Sequence, residues 1–310
     1  LIRKLFAACL RLRGCPADNE KGPEGLHWKQ TLADALILKK IRQRVFGHRL
    51  LYVISGSAPM PLWLLNWYQS LGILILEAYG ISENIVPIAC NTRSDYRFGS
   101  VGKLVDVNTL RVADDGELLV KGPGVFRGYL TDDAQDKLTA DGYLKTGDEG
   151  VVDDHGFITL LGRKSDFFKT STGKRVSPMA LESALLQLDE LEHVLVVGEG
   201  RKVPIILATL ADGHGNTIEN LDAQSLREKI NVIVRDLLPS GLRPAALILL
   251  TRSFTLADGE LTANLKLRRK MIIDKHLSVI EQAYQSIEAK SLPCQGVFLL
   301  QNSLGGIVRL

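Results

Sequence analysis

Residue types able to handle charged groups fall in five short stretches of an otherwise ordinary chain. They are SGSAP (55–59), YGISE (79–83), TGD (146–148), GRKSDFFKTSTGKRVSP (162–178) and GELTANLKLRRK (259–270). The fourth, through KTSTGKR, has the look of a phosphate-binding loop. Such a loop needs Gly, four residues, then Gly-Lys-Ser/Thr, so that successive backbone N–H groups wrap the phosphates. Gly173-Lys174 would need a glycine at 168, where Phe168 stands, and a hydroxyl residue after Lys174, where Arg175 stands. The spacing excludes it. Taken singly, the other stretches have plain readings. SGSAP can be a strand-to-helix turn, Thr146-Gly147-Asp148 a common turn, and Glu83 a solvated loop carboxylate. Lys266 belongs to a basic run with Arg268, Arg269 and Lys270, which alone reads as a solvated face.

The elements around these stretches follow from periodicity. Residues 27–46 carry apolar positions at helical spacing, with Lys and Arg crowding the end where the macrodipole favours them, and Gly47 stops the helix. LLYVI then predicts a buried strand, residues 60–71 a helix, and ILILEAY a second strand. This alternation predicts a parallel α/β sheet, with SGSAP and YGISEN at the carboxyl ends of strands, where ligands of such sheets bind. From 99 to 161, short β-rich runs (LRVA, ELLVKG, EGVVDD, FITLLG) alternate with Gly, Asp and Pro turns and predict a small antiparallel barrel or sheet. After the polar stretch at 162–178 come a helix (178–189), strands HVLVVGE and VPIILATL, a helix (223–238), strand ALILLT, and a basic helix from about 267. That is a compact α+β unit, so the polar stretch marks a domain boundary.

Composition bounds the partners. At 310 residues with 45 % hydrophobic content, the chain can bury two ordinary cores. A net charge of +3 against 24 % charged residues is too small to point to nucleic acid. Cys9, Cys15, Cys90 and Cys294 fall in no metal-ligand spacing and fit a reduced, cytoplasmic chain. The opening LIRKLFAACLRLRG is too short in its apolar run for a signal core and reads as a basic amphipathic helix with a packed or membrane-surface face. A peripheral contact at the inner membrane face stays open on that reading. No run reaches the length of a membrane span.

The order of the motifs carries more than any one of them. SGSAP, YGISE, GELLVKGPGVFRGYL (116–130), YLKTGDEG (143–150), GRxxDxxKTSxGKxVxP and GELTANLKLRRK together resemble the acyl-adenylate-forming, AMP-binding superfamily, most nearly its bacterial long-chain fatty acyl-CoA synthetases. The resemblance runs from near residue 1 to about 285 and covers the rear portion of the family's length. It implies that residues 1–162 belong to the large AMP-binding domain, α/β to about 98 and β-rich over 99–161. It further implies a hinge and loop at 163–177, a mobile α+β domain at 178–290, and a tail of unassigned role at 291–310. The implied architecture is that of an adenylate-forming synthetase whose N-terminal part is missing.

The resemblance also implies roles. Gly56, Ser57 and Ala58 form the adenine-side loop, where small residues allow close approach to a flat base. Tyr79 stacks on adenine beside Gly80, the Ser82 hydroxyl meets the α-phosphate, and Glu83 holds Mg²⁺, a hard cation that suits a carboxylate. Gly122-Pro123-Gly124 shapes a turn of architectural use. Asp148 accepts from the ribose hydroxyls, and Arg163 contacts ribose or phosphate. Ser165 and Asp166 form the hinge, and Thr172-Gly173-Lys174 lines the path of the pantetheine thiol. Lys266 is the catalytic lysine, neutralising charge as the mixed anhydride forms. The implied reaction joins a fatty acid to ATP, giving acyl-AMP and pyrophosphate, and then passes the acyl group to CoA after the C-terminal domain rotates.

Three departures and two alternatives accompany this reading. The family's Ser/Thr/Gly-rich phosphate loop is not in this chain, and with Leu1 as first residue the expectation is a fragment of a longer reading frame, inactive by itself. Ser165 replaces the hinge Asp or Lys of relatives, and Asn264 the Thr of the lysine motif. A ligase that passes acyl-AMP to an acyl carrier protein is one alternative. A degenerate adenylate-binding or scaffold protein is the other. An amino-acid-activating domain fits less well, because LTANLK departs from the Pro-x-x-x-x-Gly-Lys form.

Overall fold

The computed structural model describes residues 38–130, 137–211, 221–250, 252–289 and 298–301. The expected helix at the N-terminus and the first part of the 27–46 helix lie outside these residues. The chain divides into two compact units, one up to Lys164 and one from Ser165 onward.

In the first unit, helix α1 (Lys39–Phe46) precedes strand β1 (Val53–Ser55), helix α2 (Leu62–Ser70) and strand β2 (Ile75–Tyr79). Helix α2 ends where Gly72 turns left-handed at φ 78°; Gly72 N–H donates to Gln69 O and Ile73 N–H to Tyr68 O, satisfying the last carbonyls. Strands β1 and β2 are parallel, with Ser55 opposite Glu77, so SGSAP and YGISE leave neighbouring strands at the same end. The sheet continues in a way the sequence reading did not anticipate. Two short strands, β3 (Ala89–Cys90) and β4 (Lys103–Leu104), add to it antiparallel. They pack so closely that a Cβ at Gly102 would fall 1.9 Å from the Cys90 carbonyl carbon.

The β-rich region is an open antiparallel meander, β5 (Thr109–Val112), β6 (Glu117–Lys121), β7 (Leu144–Val152) and β8 (Ile158–Arg163). No closed barrel is formed among the described residues. Strand β7 is longer than expected, because LKTGDEG (144–150) belongs to it. Thr146-Gly147-Asp148 is therefore not a turn. Residues 146–148 stand opposite Leu118 where the β6–β7 register shifts, a bulge that Gly147 accommodates at φ 73°.

In the second unit a two-stranded hairpin, β9 (Phe168–Lys169) with β10 (Arg175–Val176), leads into helix α3 (Pro178–Leu185). Then come β11 (Leu191–Val197), β12 (Ile205–Leu210), helix α4 (Ala223–Leu237), β13 (Ala246–Leu250), α5 (Arg269–Lys275), α6 (Leu277–Ala289) and β14 (Phe298–Gln301). The sheet order is β11-β12-β13-β14, antiparallel at the first pair and parallel at the next two. Alternate residues of its strands enter two cores. Val194, Val196, Ile206, Ala208, Leu247 and Leu249 meet α3 and α4, while Leu195, Ile205, Leu207, Ala246 and Ile248 meet α5 and α6. Burial on both faces explains why ALILL and IILATL read as unbroken apolar runs. Helix α4 presents Leu226, Ile230 and Val234 as its inward stripe, and Asp222 caps it by accepting from Ser225 N–H at 3.0 Å. The tail beyond 290, given no role from sequence, supplies β14.

Candidate functional site

The first unit brings together three residues that the sequence separates widely. Tyr79, at the end of β2, is buried and donates its phenol to Asp148 Oδ2 at 2.6 Å. Asp148 Oδ1 pairs with Arg163 Nε at 2.9 Å, across the β7–β8 register. Arg163 also donates from Nη1 to Thr146 O at 3.1 Å. The bulge turns Asp148 inward, and Thr146 braces it by donating to Leu118 O at 2.7 Å and accepting from Asp148 N–H at 3.1 Å. Glu117 receives the Gly147 N–H at 2.9 Å and is itself held by Lys164 at 2.8 Å. Burial first, and then the charge of Asp148, push the Tyr79 phenol far above its usual range. It stays protonated and remains a donor. The Asp148 side chain is 9 % exposed and that of Arg163 52 %, so the guanidinium is the side of the pair that solvent reaches.

The YGISE loop is shaped by the Gly-Pro-Gly turn. Glu83 O accepts from Phe126 N–H at 2.8 Å, and Ile85 N–H donates to Gly124 O at 2.9 Å. A Cβ at Gly124 would meet Asn84 Oδ1 at 2.7 Å and Val86 N at 3.1 Å, which is why a glycine stands there. Ser82 is exposed and Glu83 half-buried. Tyr129 donates to Glu83 Oε1, and this bond, with Lys137 and Arg163 nearby, holds the Glu83 carboxyl below its ordinary value. A Cβ at Gly80 would be in ordinary contact with Pro87, 3.6 Å from its Cα.

The SGSAP loop is held by a residue that sequence reasoning passed over. Glu77, buried in β2, accepts from Met60 N–H at 3.0 Å and from the Gly99 backbone. Burial raises its pKa despite these bonds. Its sequence signal was a lone acid within an apolar strand. Gly56 sits where a Cβ would be 3.1 Å from Ala78 O, Ser57 takes a left-handed φ of 70°, and Gly56, Ser57 and Ala58 are all exposed.

In the second unit, KTSTGKR is the tip of the β9–β10 hairpin, not a loop feeding a helix. Gly173 closes it at φ 79°, and Thr170 accepts from Lys174 N–H through its hydroxyl at 3.1 Å. Ser171 N–H and Gly200 N–H tie the tip to the turn at 198–201. The Lys174 side chain crosses Gly241, where a Cβ would fall 2.0 Å from Nζ. Ser165 is exposed and donates weakly to Asp166 at 3.4 Å. Lys266 rides an exposed turn that Leu261 and Leu267 close as an antiparallel bridge. Thr262 N–H donates to Lys266 O at 2.8 Å, Lys266 N–H to Thr262 Oγ1 at 3.1 Å, and Leu265 is left-handed at φ 58°. The expected basic helix begins after this turn, at Arg269, whose guanidinium grips Glu182 at 2.8 and 3.0 Å.

Among the described residues no group of three His, Cys, Asp or Glu side chains could by itself hold a metal, and no helix is long and apolar enough to cross a membrane.

Comparison with known proteins places these features in one family. Residues 20–130 match the AMP-binding enzyme family and residues 165–288 match the AMP-binding enzyme C-terminal domain. The long-chain-fatty-acid–CoA ligase FadD15 of Mycobacterium tuberculosis is 32 % identical over 284 residues, covering 86 % of this chain and 47 % of that protein. The chloroplastic long-chain-fatty-acid–[acyl-carrier-protein] ligase AEE15 of Arabidopsis thaliana is 26 % identical, covering 82 % of this chain and 38 % of that protein. The A-PCP didomain of the carboxylic acid reductase from Segniliparus rugosus, solved with AMP, superposes with a TM-score of 0.68 at 20 % identity, covering 93 % of this chain and 41 % of that one. The chain thus spans about half the length, or less, of the relatives it matches. It belongs to the AMP-binding enzyme family, and it carries parts of both the large domain and the C-terminal domain of an adenylate-forming fold.

Proposed function

We propose that this chain supplies the ribose-binding rear portion and the mobile C-terminal domain of an enzyme that activates a long-chain fatty acid with ATP and passes it to CoA. The observation that carries the reading is the convergence of Tyr79, Asp148 and Arg163, each drawn from a separate motif of the family's order. Asp148 accepts from the ribose hydroxyls, and Arg163 turns its exposed guanidinium to ribose or phosphate. SGSAP and YGISE, leaving parallel neighbours at one end, flank the adenine, and Ser82 meets the α-phosphate. Lys266 neutralises charge on the carboxylate and α-phosphate in the first half-reaction. In the second, the segment at Ser165 and Asp166 is the pivot, and the Thr172-Gly173-Lys174 tip borders the path of the thiol.

Magnesium fits this reading through Glu83. Its carboxyl is ionised, half-buried and held by Tyr129. Mg²⁺ keeps several waters and takes one or two carboxylates along with substrate phosphates, so one such oxygen suffices. The metal would supply charge neutralisation on the phosphates. A carrier-protein thiol is the second acceptor to consider, because AEE15 is named for one.

The experiment is ATP–pyrophosphate exchange on the complete protein across a fatty-acid series, followed by thioester formation with CoA or with acyl carrier protein. Exchange that depends on a fatty acid supports the reading. AMP binding with no exchange for any fatty acid favours the degenerate alternative.

A further inference from the structure

Glu260 immediately precedes the turn that carries Lys266, and it is fully buried. A buried carboxylate needs close partners, and here they come from both sides of the turn. From the chain before it, Arg252 reaches both oxygens, Nη1 to Oε2 at 2.9 Å and Nη2 to Oε1 at 2.8 Å, and Thr255 N–H donates to Oε2 at 3.1 Å. From the helix after it, Lys275 Nζ lies 3.1 Å from Oε1. Asp258 adds an outer layer, 3.1 Å from Arg252 and 3.3 Å from Lys275. The backbone repeats the arrangement: Glu260 N–H and Leu261 N–H donate to Thr255 O, and Arg268 N–H donates to Glu260 O at 2.8 Å.

The turn itself is internally stiff, closed by the Leu261–Leu267 bridge and the bonds between Thr262 and Lys266. A stiff turn is aimed by its two ends. We propose that Glu260 is the positioning residue of Lys266: its carboxylate clamps the 252–255 segment to α5 and so fixes the direction in which the turn presents the lysine. The chemical consequence rests on the assignment of Lys266 to acyl-adenylate formation. Glu260 touches no substrate; it acts through the turn, where a displacement of about 1 Å can cost on the order of a hundredfold in rate.

The test compares Glu260→Gln and the milder Lys275→Gln with the unaltered complete protein. Hydrogen exchange at the amides of Leu261, Thr262, Lys266 and Arg268 is expected to quicken about tenfold or more, as expected for loss of a charge-assisted bond. The amides of β12 and β13 stay unchanged. In the same variants adenylation falls in kcat by about tenfold with KM for ATP held, while thioester formation from supplied acyl-AMP is kept. No local quickening, quickening that extends equally through β12 and β13, or an equal fall of both half-reactions would each overturn the proposal. If Lys266→Ala leaves adenylation intact, the reading of the lysine fails, and the exchange pattern still decides the clamp.

Discussion

Two buried glutamates, one in each unit, meet burial in opposite ways. Glu77 in β2 is met by the backbone of Met60 and Gly99, and burial raises its pKa. Burial works in the same direction on Glu260, but the Arg252 fork, Lys275 and the Thr255 N–H outweigh it and hold that carboxyl below its ordinary value. The difference teaches that burial sets the penalty and the partners set its sign. It also separates two ways of holding a functional segment. The first unit uses close backbone packing and a bulged strand, with Glu77 as a bracket for the SGSAP loop. The second hangs an exposed turn from a buried carboxylate ringed by partly exposed cations.

The sharpest use of this contrast is at the residues each unit presents. Lys266→Ala is expected to lower ATP–pyrophosphate exchange by about 10²–10³-fold, the scale of removing one stabiliser of developing charge. Thioester formation from supplied acyl-AMP should survive, and equal loss of both half-reactions would contradict the division of labour. Asp148→Ala comes next, with AMP affinity falling about ten- to hundredfold by calorimetry, the worth of charge-assisted hydrogen bonds. A correctly folded variant with unaltered AMP affinity sinks the ribose assignment.

Gly124→Ala probes the packing on which the first unit relies. The new methyl would meet Asn84 Oδ1 and Val86, and should destabilise that unit by ~1–3 kcal/mol. Trp63 and Trp67 both lie in it, so fluorescence-monitored urea denaturation reads the loss directly.

The smallest effect is one of sign. An acid with a raised folded pKa binds its proton more tightly when folded, so Glu77 favours the fold as pH falls and disfavours it as pH rises through the raised value. Glu260 runs the other way: its contribution is present above the ordinary glutamate value of 4.5 and is lost as pH falls through its lowered value. Relative to the unaltered chain, Glu77→Gln should therefore fare best near neutral pH and Glu260→Gln worst, with both differences shrinking in acid. Hydrogen exchange on each unit, taken from neutral pH down through the carboxylate range, measures this. Matching signs would erase the contrast.

Much of this was legible beforehand, element by element. The apolar runs VPIILATL and ALILLT read as strands and 223–238 as a helix, and β12, β13 and α4 stand there. The order of motifs pointed to the family, because each short signature is weak and their sequence is not. Thr146-Gly147-Asp148 has by itself the composition of a turn, whereas its pairing with β6 makes it a bulge that local sequence does not show. Tyr129 was passed over because its bond to Glu83 joins stretches far apart in the chain.

What the sequence by itself determined, then, was which residue types stand at which intervals: the periodicities of the core, the composition of the loops and the motif order. Only the tertiary structure decided partners. Tyr79 and Asp148 are 69 positions apart, and their contact depends on how β2 and the bulge in β7 come together. Whether a buried carboxylate becomes a bracket, a ligand-facing acceptor or a clamp depends on which donors the fold brings to it. That is a property of register and strand order, which local sequence does not encode.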